Sequence, residues 1–308
     1  MVTDRVTGKP GEQEQGVQEP GLHEPGTPSK LEPVAPTAGK PPVRRLLDAW
    51  EALTQPLYWL YEGRLERNVQ RGKLPKHIGL IMDGNRRFAR SFGLDVASGH
   101  DYGAGKAREV LEWCFDIGIR HVTLWGFSSD NRGRDETEVS HLHSLFGRQA
   151  RAMIEDPKIH KNHVRVRVIG DVSDFPEDVK VALQDVEAAT ANYTERQLNV
   201  AIGYGGREEI VAAVRNLLRD RATAVESLEA LAQAVTADEI ERYLYTAGSP
   251  DPDFIIRTSG EVRLSGFLLW QAAYSEYYFC DAFWPSFRKV DLLRALRSFQ
   301  ARERRFGK

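Results

Sequence analysis

The sequence predicts a single α/β domain in which helices flank a central, mainly parallel sheet of six strands. From residue 77 onwards, short apolar segments of strand length alternate with longer segments of helical periodicity. Such alternation is typical of parallel sheets whose strands are joined by helices. Polar loops follow several of the apolar segments, and ligands of these sheets bind beside the carboxyl ends of the strands. We therefore expect a binding site at that edge of the sheet.

Six apolar segments are the candidate strands, and six segments of helical spacing lie between and after them. The strands are His77–Met82, His121–Phe127, Val164–Ile169, Leu198–Gly203, Asp253–Arg257 and a short segment at Tyr277–Phe279. The helices are Gly103–Ile117, Glu138–Ile154, Pro176–Asn192, Glu208–Arg219, Ser227–Leu244 and Asp291–Arg304.

The N-terminal region has a different composition from the rest of the chain. Residues 1–43 are rich in Gly, Pro, Glu, Gln and Thr, so they are predicted to form a disordered tail. Residues 44–73 are predicted to form an amphipathic, aromatic-rich helical arm, with Pro56 as a kink or boundary. The apolar face of this arm either packs on its own domain or touches a bilayer surface. Residues 74–308 form the predicted domain.

The bulk composition indicates that any function driven by charge depends on local clusters. The formal net charge is only −2, so no global basic field would recruit nucleic acid. Cys114 and Cys280 lie in apolar stretches, which argues against a disulfide framework and fits a reducing cytoplasm. The chain shows neither a signal-peptide pattern nor an apolar run of bilayer length. We expect a cytoplasmic protein, peripheral at a membrane at most.

Loops that contain arginine follow four of the candidate strands. Guanidinium groups bind phosphate oxygens bidentately, and glycine-rich turns let backbone N–H groups approach an anion closely. Together they predict a ligand with several phosphates, although "GYGGR" by itself could equally be a tight turn into a helix. The loops are "DGNRR" (83–87), "SSDNRGR" (128–134), "GYGGR" (203–207) and "RTSGEVRLS" (257–265).

Two carboxylates stand out against this positive setting. Asp83 follows the first strand directly, and Glu276 lies in the apolar and aromatic stretch "FLLWQAAYSEYYF". Mg²⁺ is bound by one or two carboxylates together with phosphate oxygens, so both residues are candidate magnesium ligands. Alternatively, Asp83 forms ion pairs with Arg86 or Arg87. Zinc spacing, the phosphate loop of nucleotide hydrolases and the serine-hydrolase turn are absent.

Apolar side chains near these loops could line a cleft for the other half of the ligand, or could simply be core. A phosphate-binding rim above an apolar channel would suit a lipid with a diphosphate head. The candidate lining residues are Phe88, Phe92, Leu111, Trp125, Phe127, Leu142, Leu145, Phe146 and Ile154.

These segments together resemble the undecaprenyl diphosphate synthase family of cis-prenyltransferases, also called isoprenyl transferases. The match extends over roughly residues 74 to 307, in the family's order. The matching segments are "HIGLIMDGNRRFAR", "GFSSDNRGR", "VRVRVIGD", "NVAIGYGGR", "DPDFIIRTSGEVRLSGFLLWQAAYSEYYF" and "RERRFG".

The resemblance implies Mg²⁺-dependent condensation of isopentenyl diphosphate with an allylic prenyl diphosphate, which forms cis double bonds and releases diphosphate. "RFG" at 305–307 is similar to an Arg-x-Gly element that reaches a neighbouring subunit's site in related enzymes, which implies a homodimer. A non-catalytic partner subunit is the alternative, but such subunits lose the aspartate and the substrate arginines. A lipid diphosphate phosphatase would need a nucleophile or a di-metal carboxylate cluster.

The resemblance also assigns roles to individual residues. Asp83 is implied to be catalytic, binding Mg²⁺ and assisting departure of the allylic diphosphate, with Glu276 as the second magnesium carboxylate. Asn131 matches an asparagine assigned to proton removal. Because an amide is a poor base, we expect Asn131 to orient the substrate while diphosphate takes the proton.

The remaining implied residues bind substrate. Residues 84–87 would cradle the allylic diphosphate, and residues 134, 257, 263 and 265 resemble the isopentenyl diphosphate site. His100 either handles protons or diphosphate or caps a helix. The full set is Gly84, Asn85, Arg86, Arg87, Phe88, His100, Ser128, Ser129, Asp130, Arg132, Arg134, Arg257, Arg263, Leu264 and Ser265.

Three positions depart from the pattern that is commonest among long-chain members. Phe88 and Arg132 each stand where tryptophan is usual, and Val96 stands where many members carry arginine. "DGNRR" and "RLSGFLLWQ" favour the actinobacterial short-chain branch, which is similar to Z-farnesyl diphosphate synthases. Gly126, however, is small where a bulky residue could cap the channel, so it does not favour a short product. The sequence leaves both product lengths open.

Overall fold

The computed structural model describes residues 59–222 and 227–302. Its six strands form one parallel sheet in the order β3-β4-β2-β1-β5-β6, so the predicted fold class is confirmed. The strands are β1 (His77–Ile81), β2 (His121–Ser128), β3 (Val164–Ile169), β4 (Arg196–Tyr204), β5 (Phe254–Arg257) and β6 (Glu276–Phe279).

Helices cover both faces of this sheet. The first of them, α1, is described over residues 59–71. The others are α2 (Asn85–Ser91), α3 (Val96–Ile117), α4 (Glu136–Glu155), α5 (Pro157–Lys161), α6 (Glu177–Thr190), α7 (Gly206–Arg221), α8 (Leu228–Ala234), α9 (Ala237–Glu241) and α10 (Lys289–Ala301).

Strand β1 is the centre of the fold, because it pairs with β2 on one side and with β5 on the other. Successive side chains of a strand point to opposite faces of the sheet. Accordingly Ile78 and Leu80 pack in one core cluster, whereas Ile81 packs in another. Burial on both faces explains why the whole strand reads as an apolar run.

Helices α3 and α10 cover the face of the sheet to which Ile78 and Leu80 point. Val110 and Cys114 of α3 and Leu292 and Leu296 of α10 are fully buried in the same cluster. At the end of α3, Gly118 has φ 111°, a left-handed conformation that glycine adopts without steric cost. This turn directs the chain from α3 into β2.

A second group of buried side chains lies between α4, α6 and the strands β3 and β4. Leu142 and Leu145 of α4 meet Val179 of α6 there, together with Phe127 and Phe175. Helices α3 and α4 therefore belong to two different packing clusters. The apolar channel described below runs between them.

Several helices differ from those predicted. The sequence interpretation missed α2 and α5, which have seven and five residues and are too short for a clear periodicity. The single helix predicted at Ser227–Leu244 is two helices, because the side chain of Thr236 accepts a hydrogen bond from the Glu239 N–H and caps α9. The break between α8 and α9 therefore has a local cause, the hydrogen bond to the Thr236 side chain, and does not come from tertiary contacts alone.

The predicted tail at 1–43 and the first part of the arm lie outside the described residues. In the described part of the arm, Leu65 and Val69 are buried in the core, and Glu66 pairs with Lys289 of α10 at 2.7 Å. Trp59 and Leu60 are two-thirds exposed. This half of the arm packs on its own domain. Across 59–222 and 227–302, no helix is both long and apolar enough to span a membrane.

A buried hydrogen-bond chain links the amino ends of β1, β2 and β4. His77 is fully buried; its Nδ1–H donates to the Pro250 carbonyl oxygen at 2.6 Å, so Nε2 accepts from the Thr123 hydroxyl at 2.8 Å. The Asn199 amide in turn donates to Thr123 at 3.1 Å. Burial lowers the pKa of His77 to about 4, although the Pro250 hydrogen bond opposes this shift. The fold therefore requires a neutral imidazole.

Because the pKa of His77 is lower in the folded than in the unfolded chain, acid should destabilise the protein. Between the ordinary histidine value and pH 4 the unfolded chain binds the extra proton, so the free energy of unfolding falls as the pH falls, by about 3 kcal/mol from this group. Urea denaturation at several pH values between 7.5 and 4 measures the effect. His77→Gln should flatten the pH dependence, whereas His163→Asn, at a half-exposed imidazole, should not. Identical slopes for His77→Gln and the parent would contradict the assignment.

Candidate active site

A polar cleft of about 510 Å³ lies at the carboxyl edge of the sheet. Six of its described lining residues are arginines and only two are acids, so the cleft suits an anion. Three of the four predicted loops form it, namely those that follow β1, β2 and β5. The lining residues are Ile81, Met82, Asp83, Gly84, Asn85, Arg86, Arg87, Arg90, His100, Trp125, Gly126, Phe127, Ser128, Asp130, Asn131, Arg134, Arg257, Arg263 and Ser265.

The Asp83 carboxylate is held by two guanidinium groups in this cleft. Arg257 donates to it at 2.8 Å and Arg87 at 3.3 Å. Arg257 is almost fully buried and also donates to the Ser265 hydroxyl at 2.9 Å. Arg87 extends the network to Glu261 at 3.1 Å. The alternative in which Asp83 pairs with Arg87 is thus observed, but Arg257 is the closer partner.

The backbone around Asp83 is fixed from two sides. Its carbonyl oxygen accepts from the Trp284 N–H at 3.0 Å and from the Thr258 hydroxyl at 2.7 Å. Gly84, which precedes α2, has φ 106°, and a Cβ there would lie 3.0 Å from the Phe283 ring. A residue with a side chain would strain this turn, so glycine is required where the strand passes into α2.

Glu138 gathers three further polar side chains on the opposite wall, and the sequence interpretation missed it. Its carboxylate accepts from Arg134 at 2.7 Å and from His100 Nε2 at 3.0 Å, and it lies 3.7 Å from Arg86. The side chain is only 8% exposed. The signal available in the sequence was the i,i+4 spacing of Arg134 and Glu138 at a helix start.

The protonation states of this cluster follow from burial and hydrogen bonding. Burial lowers the pKa of His100, and the hydrogen bond to Glu138 opposes the shift only in part. Burial would raise the pKa of Glu138, but hydrogen bonds from His100 and Arg134 outweigh it and hold this pKa below its usual value. At neutral pH, therefore, a neutral His100 donates its Nε2–H to an ionised Glu138.

The loop after β2 forms a short 3-10 helix, Ser129–Gly133, that brings Asp130 and Asn131 to the cleft. The Asn131 side-chain oxygen accepts from the Ser128 N–H at 3.1 Å, which fixes the orientation of its amide. Arg132 does not line the cleft; its guanidinium pairs instead with Asp171 and Asp174 beyond β3. The predicted contact between Arg132 and substrate therefore has no support from its placement.

Other predicted residues also lie away from the cleft lining. The Phe88 ring contacts Phe92 in a tilted arrangement and Tyr102 edge to face, and Leu264 is partly buried against a core cluster. Ser129 faces Gly205, where a Cβ would lie 2.5 Å from its hydroxyl oxygen. The glycines of the "GYGGR" loop thus serve close packing, and the interpretation of this loop as a tight turn is favoured.

Glu276 is not brought to Asp83 within one chain. It begins β6 and pairs in register with Phe254, which pairs with Ile78, five residues before Asp83. Five residues of parallel strand span about 16 Å, too far for one ion to join the two carboxylates. Glu276 instead accepts from Arg302 at 2.7 Å. Within one chain, the two predicted magnesium carboxylates therefore lie at opposite ends of their strands, because Glu276 begins β6 whereas Asp83 follows β1.

An apolar channel of about 390 Å³ continues from the cleft between α3 and α4. Met82, Asn85, His100 and Gly126 line both spaces, so the polar and apolar compartments meet there. A Cβ at Gly126 would lie 2.9 Å from the Phe146 ring, so Phe146 fills the space that the glycine leaves. Of the predicted apolar lining, the channel includes Leu111, Leu142, Leu145 and Phe146.

The side chains of the cleft determine whether it can hold a metal ion. Within residues 59–222 and 227–302, no group of three or more His, Cys, Asp or Glu side chains could hold an ion by itself. Asp83 is nevertheless accessible, with 29% of its side chain exposed among arginines that suit an anion. A magnesium ion bound by one carboxylate, with phosphate oxygens and water as its other ligands, fits this arrangement.

Comparison with known proteins identifies relatives along most of the chain. The isoprenyl transferase of Deinococcus radiodurans is 57% identical over 253 residues, covering 82% of this chain and 92% of the relative. That of Thermus thermophilus is 57% identical over 266 residues, covering 86% and 100%. The tritrans,polycis-undecaprenyl-diphosphate synthase (geranylgeranyl-diphosphate specific) of Methanopyrus kandleri is 47% identical over 265 residues, covering 86% and 96%.

Solved structures agree with these relatives. Lavandulyl diphosphate synthase from Lavandula x intermedia, in complex with dimethylallyl diphosphate, matches with a TM-score of 0.71 and 31% identity over 76% of this chain and 99% of that one. A probable undecaprenyl diphosphate synthase from Campylobacter jejuni matches with a TM-score of 0.61 and 31% identity, over 77% and 99%.

The family model described as putative undecaprenyl diphosphate synthase matches residues 81–307, which include every loop of the cleft. The chain therefore belongs to the undecaprenyl diphosphate synthase family and is a cis-prenyltransferase, an enzyme that elongates prenyl diphosphates.

Proposed function

We propose that this enzyme condenses isopentenyl diphosphate with an allylic prenyl diphosphate, with Asp83 and Mg²⁺ acting at the departing diphosphate. The observation that carries the proposal is the Asp83 carboxylate between Arg257 and Arg87, at the point where a cationic cleft opens into an apolar channel. A diphosphate in the cleft and a prenyl chain in the channel match these two compartments.

The two substrates would divide the cleft between its two walls. The residues at 84–87 and the α2 segment would cradle the allylic diphosphate, while Arg134, Arg257, Arg263 and Ser265 would bind isopentenyl diphosphate. Residues 84–87, Arg134, Arg257, Arg263 and Ser265 all line the same cleft. The name of the Methanopyrus relative includes geranylgeranyl diphosphate and the lavender structure contains dimethylallyl diphosphate, so allylic primers of several lengths are worth testing.

Asp83 would hold Mg²⁺ on the allylic diphosphate. Bound there, the ion would neutralise the negative charge that develops on the leaving group. Arg257 and Arg87 already contact this carboxylate, so their guanidinium groups are placed to donate to phosphate oxygens beside it. The protein contributes a preorganised set of donors at the site where the anion forms.

Asn131 and His100 would orient the reacting groups rather than act as strong bases. The Asn131 amide oxygen is engaged by the Ser128 N–H, which leaves its NH₂ group free to donate toward the cleft. His100 uses its Nε2–H for Glu138 and lies at the junction of cleft and channel. The proton lost from isopentenyl diphosphate would pass to the released diphosphate, which is the stronger base.

The channel would receive the growing prenyl chain and keep water from the reacting carbon. Water near an allylic centre would divert it to an alcohol, so exclusion of water is part of the chemistry. Small residues of α3, Gly103, Ala104 and Ala107, make room for the chain beside Leu142 and Leu145 of α4.

Two further proposals rest on the family resemblance. A homodimer is expected, although the Arg-x-Gly element at 305–307 lies outside the described residues. Glu276 keeps a proposed magnesium role only if it acts away from the Asp83 of its own chain. Peripheral membrane contact by the arm is a further proposal, for which the exposed Trp59 and Leu60 are the available support.

The activity is tested by incubating the full chain with Mg²⁺, labelled isopentenyl diphosphate and dimethylallyl, geranyl, farnesyl or geranylgeranyl diphosphate. Asp83→Asn should lower incorporation about 100-fold or more, because the carboxylate that would hold Mg²⁺ on the departing diphosphate is replaced by a neutral amide. Asp185→Asn, an exposed acid of α6, is the matched control and should retain parental activity. Absence of incorporation by the parent with every primer would refute the proposed function.

Glu138→Gln should lower kcat/KM about 10- to 100-fold, the range expected when hydrogen bonds to a charged group are lost. Its carboxylate holds Arg134 and His100, so both would lose their fixed positions. Steady-state kinetics with each substrate measures the effect. Glu136→Gln changes an exposed acid of the same helix and should behave like the parent. Unchanged kinetics for Glu138→Gln would show that this cluster is only structural.

Ala107→Leu should shorten the product by one or more C5 units, because the added side chain projects into the channel. Thin-layer chromatography of the products after phosphatase treatment measures chain length. Ala188→Leu, on the exposed surface of α6, should leave the distribution unchanged. An unaltered product ladder for Ala107→Leu would mean that the prenyl chain takes another route.

A further inference from the structure

Arg132 joins the loop after β2 to the loop that follows β3. Its Nη2 donates to the Asp171 carbonyl oxygen at 2.7 Å and to the Asp174 carboxylate at 3.1 Å, and its Nε lies 2.9 Å from the other Asp174 oxygen. The Asp171 carboxylate lies 3.3 Å from the same guanidinium. One side chain thus makes four contacts with a single neighbouring loop.

The loop that receives Arg132 is itself firmly placed. Gly170 and Gly203 both have positive φ, at 122° and 61°, and a Cβ on Gly203 would clash with the Asp171 carbonyl oxygen. The Asp171 N–H donates to the Gly203 carbonyl at 3.3 Å. Two glycines therefore allow the end of β3 and the end of β4 to touch, which makes the Asp171 turn a rigid anchor.

Apart from Arg132, the loop that carries it is restrained by the Asn131 side chain on the Ser128 N–H and by the close packing of Ser129 against Gly205. Ser129–Gly133 is a five-residue 3-10 helix with no buried residue, and such helices have weaker hydrogen-bond geometry than α-helices. This loop nevertheless brings Asp130 and Asn131 to the cleft, and Arg134 follows it directly. Segments with few buried contacts open readily unless something else restrains them.

The energetics favour a role in positioning over one in global stability. Arg132, Asp171 and Asp174 are 34%, 52% and 48% exposed, and exposed ion pairs contribute little to the free energy of unfolding. The planar guanidinium, however, fixes geometry when it bridges a carbonyl and two carboxylates. Loss of the Arg132 side chain should therefore change substrate binding and turnover rather than the melting temperature.

We propose that Arg132 is a positioning residue: with Asp171 and Asp174 it clamps the loop after β2, so that Asn131 and Arg134 stand correctly for isopentenyl diphosphate. The inference rests on the proposed function and deepens it, since it replaces a direct substrate contact of Arg132 by an indirect role.

The test compares Arg132→Ala, Arg132→Lys, Asp174→Ala and the double variant Arg132→Ala/Asp174→Ala in the full chain. Arg132→Ala should raise KM for isopentenyl diphosphate and lower kcat/KM about 10- to 100-fold, with KM for the allylic primer unchanged. Asp174→Ala should change the same parameter in the same direction, and Arg132→Lys should recover part of the loss. The double variant should be no worse than Arg132→Ala, because both changes remove one interaction.

Two readouts separate positioning from other roles. Hydrogen–deuterium exchange of the peptide that contains residues 129–134 should be faster in Arg132→Ala and in Asp174→Ala, while the melting temperature stays at the parental value. Arg151→Ala removes another exposed ion pair, with Asp178 at 3.1 Å, and should change neither exchange nor KM.

Several results would overturn the inference. Parental KM and parental exchange in Arg132→Ala would do so, as would a large rise of KM in Arg132→Ala without faster exchange at residues 129–134, since that pattern means direct substrate contact. If the parent itself incorporates no isopentenyl diphosphate, the proposed function fails, but the exchange measurement still decides whether the clamp exists.

Discussion

The ion pair between Asp83 and Arg257 is the interaction on which the site depends. Strands β1 and β5 lie side by side with Ile81 opposite Arg257, so the pair joins the ends of two central strands. The Arg257 side chain is only 5% exposed, and a buried guanidinium needs charged or polar partners to balance its lost hydration. Asp83, Ser265 and the Arg263 carbonyl oxygen supply them.

The second constraint is the meeting of a polar and an apolar compartment. Cationic groups from three loops lie at the end of the sheet, while the space between α3 and α4 has apolar side chains such as Leu111, Leu142 and Leu145 along it and charged ones such as Glu112 and Lys158 also in its lining. The two spaces meet at residues such as Gly126 and His100. Glycine has no side chain and the imidazole is neutral, so neither residue brings a charge to the boundary. Prenyl transfer needs both environments within a few bond lengths, since charge must be stabilised where water is excluded.

Two residues that hold the loop after β2 in place lie outside the loops that the sequence predicted to form the site. Glu138 and Asp174 have no counterpart in the motifs by which the sequence was interpreted, yet each holds an arginine of the loop after β2. Their roles depend on which elements are neighbours in space. Arg132 illustrates the consequence, since it directly follows the cleft residue Asn131 but directs its guanidinium to Asp171 and Asp174.

The sequence alone determined the fold class and most of the strands, because hydrophobic periodicity is a local property of the chain. Strand β3 was predicted with its observed bounds, and chemical type and strand-end position indicated Asp83 and five of the six cleft arginines, whereas Arg90 was missed and Asn131 was assigned by resemblance to the family. The separation of the two predicted magnesium carboxylates, by contrast, depends on the tertiary structure. Glu276 lies at the amino end of its strand, about 16 Å along the sheet from Asp83. Strand order and register are set by contacts between distant segments, and no local pattern records them.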